Sequence, residues 1–126
     1  MEKGRKITKQ ELSNLRWLRL QEVEIERRLR AMERMETEEG DAQQEQRHAE
    51  ALKKMRALLA EKRRACLEEE ARLRAYIYAI PDQQVQLICI LRFVKGMSWA
   101  QVAAEVGGNT EESVKKTCYR WLNGKR

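Results

Sequence analysis

Between Thr8 and Met35 the chain has neither glycine nor proline, and its apolar residues recur at alternating steps of three and four. Leu15, Leu18, Ile25, Leu29 and Met32 keep that rhythm, with Glu22 as one polar break. Such steps place side chains on one stripe of an α-helix, so the pattern predicts a long helix with an apolar seam. Thr8 and Glu11 form a capping-box pair that starts it. The rhythm returns in Leu52, Met55, Leu59, Lys62, Cys66, Glu69, Leu73, Tyr76 and Ile80, with polar gaps at Lys62 and Glu69. Gly40 and Asp41 mark the break between the two stretches, and Asp41 is placed to cap the second. At about 1.5 Å per residue, a helix of roughly thirty residues is about 45 Å long.

A lone helix of this kind would leave its leucine stripe in water. The two are therefore expected to pair, as an antiparallel hairpin or with a second copy of the chain. Leu15, Leu18, Ile25, Leu29, Met32, Leu52, Met55 and Leu59 are the candidate self-association residues. Trp17 lies beside the seam rather than in it, open to core packing or to an interface. Arg27-Arg28 and Lys62-Arg63-Arg64 are interleaved with acids and read as solvated faces. With 37% of residues charged and 6% aromatic, one compact core cannot run the whole length of 126 residues. The fold class expected is all-α, with a helical hairpin over residues 1–79 and a small helix-turn-helix domain over 80–126.

Ile80-Pro81-Asp82 ends the second long helix and begins another, because proline disfavours continuing the first and Asp82 can cap the next. Eight of the ten residues from Val85 to Val94 are apolar. A helix apolar nearly all round has to be covered on more than one side, so this segment is expected to organise the domain. Gly96 ends it. Ser98 and Gln101 form a second capping-box pair, and Trp99, Val102, Ala103 and Val106 follow at helical spacing. Gly107-Gly108-Asn109 supplies residues tolerant of positive φ for a tight turn. Thr110 caps the last helix, with Glu111 and Glu112 in its first turn.

On that last helix Val114, Cys118, Trp121 and Leu122 share one face. Glu112, Lys116, Tyr119 and Asn123 are expected opposite, flanked by Ser113, Lys115 and Arg120. A short helix, a glycine turn and a second helix with a basic face are what insertion into the major groove of DNA requires. Residues 1–40 hold ten Lys/Arg against nine Asp/Glu, whereas Ser113 to Arg126 holds five basic residues and no acidic one. The net charge of +6 is thus concentrated at the carboxyl end, as a nucleic-acid footprint is. Candidate DNA-binding residues are Ser98, Gln101, Asn109, Thr110, Glu112, Ser113, Lys115, Lys116, Tyr119 and Arg120.

The segments LRFVKGMSWAQVAAEVG and NTEESVKKTCYRWL resemble phage-encoded transcriptional regulators of the ArpU/RinA type. The carboxyl-terminal domain of that group is similar to region four of sigma factors, which reads the upstream promoter element. The resemblance covers about the last 46 residues. It implies that Glu111, Glu112, Ser113, Lys115 and Lys116 meet DNA, that Thr110 caps the recognition helix, and that Ser98 and Gln101 lie near the phosphate backbone. Ser113 stands where arginine is common in the group. No sigma region two fits in this length, so the resemblance implies an accessory regulator.

The expectation is a DNA-binding regulator of phage or prophage origin, acting on double-stranded DNA as a homodimer. A small terminase-like packaging subunit also joins these parts, though usually with the DNA-binding part first. A sigma-like domain leaves RNA polymerase open as a protein partner, the third reading. No enzyme is expected, since there is one histidine, no phosphate-binding loop and no carboxylate pair in an apolar setting. Cys66, Cys89, Cys118 and His48 are too scattered for a structural zinc site, and no cofactor is expected. The charged amino terminus and the lack of a long apolar run point to a cytoplasmic protein with no membrane partner.

Overall fold

The computed structural model describes residues 8–35 and 42–124. Among them every regular element is helical: α1 (Lys9–Arg34), α2 (Ala42–Tyr78), α3 (Gln83–Cys89), α4 (Trp99–Val106) and α5 (Glu111–Leu122). The chain is all-α, a long helix pair followed by a small helix-turn-helix. The break expected at Gly40 and Asp41 lies outside the described residues. Thr8 caps α1 as its sequence predicts, its Oγ1 accepting from the Glu11 N–H at 3.1 Å. Among the described residues no helix is long and apolar enough to cross a membrane.

The chain divides into two compact units. The first spans Trp17–Leu67 and is a helical hairpin closed on itself. Lys62 Nζ donates to Gln21 Oε1 at 2.9 Å, and Arg56 Nη2 to Glu33 Oε2 at 3.1 Å. Arg63 lies 3.6 Å from a Glu26 carboxylate oxygen. Partners on α1 rise in number as those on α2 fall from 62 to 56, so the helices run antiparallel within one chain.

The expected seam faces inward here. Leu29, Leu59 and Cys66 are buried, and Leu18, Ile25, Met32, Leu52 and Met55 are half-buried. Two helices cover a seam from one direction only, which is why so many positions stop half-way. The residues expected to mediate self-association are thus occupied within the chain. Burial pushes the Cys66 thiol upward in pKa, and the neighbouring Glu22 carboxylate adds to it.

The second unit holds the described residues up to Arg16 together with those from Glu68 onward. The helix break at Pro81 is therefore not a boundary in space, since the base of the long helices belongs to the same body as α3, α4 and α5. Leu12, Leu15, Leu73 and Ile77 are at most 1% exposed. Leu12 and Ile77 stand off the heptad positions, and they are covered because this end of the pair is part of a larger body. Arg72 bridges Glu69 on its own helix and lies 3.6 Å from Glu11.

The expected helix from Val85 to Val94 forms with one difference. It begins on Asp82, whose carboxylate accepts from the N–H groups of Gln84 and Val85 at 3.0 and 3.1 Å. After Cys89 the backbone widens into a π-helical turn over Ile90–Val94, closed by the Lys95 N–H on the Ile90 carbonyl at 2.9 Å. Leu91, Phe93 and Val94 of this wider turn are all buried. Gly96, at φ +74°, then redirects the chain.

Candidate nucleic-acid interface

The site is built by α4, the turn after it and α5. Ser98 and Gln101 make the predicted capping box: Ser98 Oγ accepts from the Gln101 N–H at 3.1 Å, and Gln101 Oε1 accepts from the Ser98 N–H at 2.9 Å. Trp99, Val102 and Ala103 are buried, and α4 packs against α5 while α3 packs against both. The turn needs two successive positive φ values, +75° at Gly107 and +66° at Gly108, and glycine takes these without a Cβ clash. Thr110 then caps α5, its Oγ1 accepting from the Ser113 N–H at 3.1 Å.

On α5 Val114, Cys118 and Leu122 are buried, with Trp121 half-buried beside them. The opposite side exposes Glu112, Lys116, Arg120 and Asn123, with Lys115 exposed on one flank. No carboxylate among the described residues pairs with Lys115, Lys116 or Arg120. Several arginines of the long helices differ: Arg30 meets Glu26 at 2.8 Å, Arg56 meets Glu33 at 3.1 Å, and Arg74 meets Glu70 at 3.8 Å. At about 1.5 Å per residue, the 12 residues of α5 make a rod of roughly 18 Å.

Three candidate residues have other tasks. Tyr119, expected on the open face, is half-buried. Its ring meets the Trp99 ring at 5.7 Å between centroids and 66° between planes, and the Lys9 ammonium sits 4.0 Å over it. Trp99 is in turn edge-on to Phe93 at 6.3 Å, and the Arg92 guanidinium lies 4.8 Å from its ring. Tyr119 therefore closes an aromatic row under a cation from α1, and burial raises the pKa of its hydroxyl. Asn109 Nδ2 donates to the Gly107 carbonyl at 2.8 Å, and its Oδ1 accepts from Ser113 Oγ at 3.4 Å. That pair fastens the turn to α5, which leaves Asn109 and Ser113 half-buried. Of the ten candidates, Ser98, Gln101, Thr110, Glu112, Lys115, Lys116 and Arg120 remain on exposed surface.

Lys9 and Arg92 shape this site and are not legible from spacing. Arg92 Nη1 also donates to the Met97 carbonyl at 2.9 Å, which holds the loop into α4. Neither has a local motif, because each acts on a residue brought near only by the fold.

Behind α5 the Cys118 Sγ lies 4.0 Å from Cys89 Sγ of α3, both free thiols in the core. The hydrogen bond to Cys118, with burial next, holds the Cys89 thiol far above the ordinary thiol range. A protonated, covered thiol is a poor nucleophile. At pH 8 the folded protein is expected to react with a disulfide reagent such as DTNB at least about a hundredfold more slowly than in denaturant, where three thiols titrate at once. Rapid release from the native protein would contradict this burial. Among the described residues no three or more His, Cys, Asp or Glu gather as a metal site. No protein-family model matches the chain, and neither a curated protein nor a solved structure is significantly similar to it.

Proposed function

We propose that this chain is a sequence-specific DNA-binding transcriptional regulator of the phage or prophage type that its carboxyl-terminal motif resembles. In this reading α5 enters the major groove of double-stranded DNA, and α4 crosses the backbone behind it. The observation that carries it is the contrast in charge pairing. Arg27, Arg30, Arg56 and Arg63 of the hairpin face carboxylates, whereas Lys115, Lys116 and Arg120 stand exposed on one helix without any among the described residues. Unpaired cations on a rigid helix are suited to phosphates and to guanine edges.

Lys116 and Arg120, one turn apart, take the central contacts, with Lys115 on a flanking phosphate. Gln101 has its carbonyl oxygen in the capping box, so its NH2 end is the group offered to the backbone. Three cations give modest affinity, so the regulator binds as a homodimer inside the cell, where its thiols stay reduced.

Selection of bound duplexes from a random library is the test. It is expected to enrich one short motif, repeated as an inverted pair. Equal recovery of all duplexes at low salt would overturn the reading and turn attention to RNA polymerase as the partner of this domain.

A further inference from the structure

The aromatic row against α5 carries a cation that no acid neutralises. Lys9 is the first residue of α1, where the positive end of the helix dipole favours an acid over a cation. Glu11 meets that preference and is already engaged, accepting from the Thr8 hydroxyl at 3.4 Å and lying 3.6 Å from Arg72. Lys9 instead places its ammonium 4.0 Å over the Tyr119 ring. The residue is exposed, and no carboxylate among the described residues pairs with it. Arg92, the other cation of the row, has its guanidinium on the Met97 carbonyl and the Trp99 ring.

Tyr119 stands three residues after Lys116 and four after Lys115. Side chains so spaced are neighbours on a helix surface, about 5–6 Å apart at Cβ. The ring thus holds a third lysine beside the exposed pair, brought there from the far side of the sequence. Glu112 lies two turns from Tyr119 and forms no ion pair with any of the three among the described residues. Like charges gathered without an acid repel one another, and a polyanion relieves that repulsion.

We propose that Lys9 is a further DNA contact, a phosphate clamp that α1 supplies to the face of α5, a step that rests on the DNA-binding reading above. The ring steers the ammonium and leaves part of its three-donor head open to a phosphate oxygen. A lysine held on a ring gives up less rotamer freedom on binding than one loose in water. Phosphate contacts set the register of a helix in the groove and carry no sequence information. Lys9 therefore adds affinity on every duplex and anchors the part of α5 that Tyr119 marks. The DNA-binding surface is built by α1 as well as by α4 and α5.

Binding of the full chain to the selected duplex and to a random-sequence duplex, followed across salt, tests this. Lys9→Met keeps the stem over the ring and removes the charge. It is expected to lower the slope of log affinity against log salt by about 0.9 on both duplexes, and affinity by about fivefold to tenfold at about 0.1 M salt. Arg56→Met removes a charge already paired with Glu33, and should leave the slope unchanged and affinity within about twofold. If Lys9 only covers the ring, Lys9→Met shifts the urea midpoint and keeps the wild-type slope, a result that overturns the proposal. An equal loss of slope with Arg56→Met overturns it too. Loss of slope on the random duplex beside failed motif selection sinks sequence reading alone. Motif selection beside an unchanged Lys9→Met slope sinks the clamp alone, and no binding to any duplex at low salt sinks both.

Discussion

Ile88→Ala is expected to destabilise the carboxyl-terminal unit by about 3 kcal/mol, the largest loss expected from truncating any α3 side chain. Ile88 is 0% exposed in the last turn of α3, the helix that packs against both α4 and α5. Removing its branched side chain forfeits the transfer free energy and leaves a cavity that helices held from two sides cannot collapse. Leu87, its neighbour in sequence, is 46% exposed and serves as the control: Leu87→Ala should cost under about 1 kcal/mol. Against a total stability of about 5–15 kcal/mol, the first loss is a large fraction and the second is not. Urea unfolding followed by circular dichroism reads both, with midpoints shifting and slopes unchanged. Equal costs at the two positions would mean that α3 is not the centre of the core.

The contrast between Ile88 and Leu87 also marks how far the sequence alone reaches. Ten consecutive residues with eight apolar announce that the segment is covered from several sides, but not that Leu87 alone among them stays exposed. Periodic features carry further. Each of the positions Leu52, Met55, Leu59, Lys62, Cys66, Glu69, Leu73, Tyr76 and Ile80 is buried or half-buried, polar gaps included. The caps at Thr8, Asp82, Ser98 and Thr110 act through hydrogen bonds to N–H groups two or three residues on, so local sequence suffices to find them.

What sequence cannot give is the cover supplied by distant residues. The angle of Tyr119 on α5 puts it beside the basic face, yet Lys9 and Trp99 close over it. Asn109 and Ser113 have side chains suited to bases, and they bond to each other and to the turn instead. The π-helical turn after Cys89 has no periodic signature, because the apolar run from Val85 to Val94 is interrupted only by Gln86 and Arg92. In each case helical spacing sets the direction of a side chain, and tertiary packing decides whether solvent is there to meet it.

The direction of the remaining cations leads to the second large effect. Lys116→Ala/Arg120→Ala is expected to weaken binding to the selected duplex by about 10- to 100-fold, since each contact with a phosphate or guanine edge contributes on the order of 1 kcal/mol or more. The variant should fold as wild type does, because both side chains are exposed on the side of α5 away from Val114, Cys118 and Leu122. Salt dependence separates direct contact from mere net charge. Every phosphate that the variant no longer neutralises should lower the slope of log affinity against log salt by about 0.9, so the double variant should lose up to roughly 2. Arg56→Ala/Arg63→Ala removes the same charge from the hairpin, where Glu33 and Glu26 already pair with it. That control should leave affinity within about twofold and the slope unchanged. If both variants lower affinity alike, overall charge draws the chain to DNA and α5 is not its reader. If only the α5 variant does, and the selected motif loses its advantage over random duplex as well, the outer face of that helix is where sequence is read.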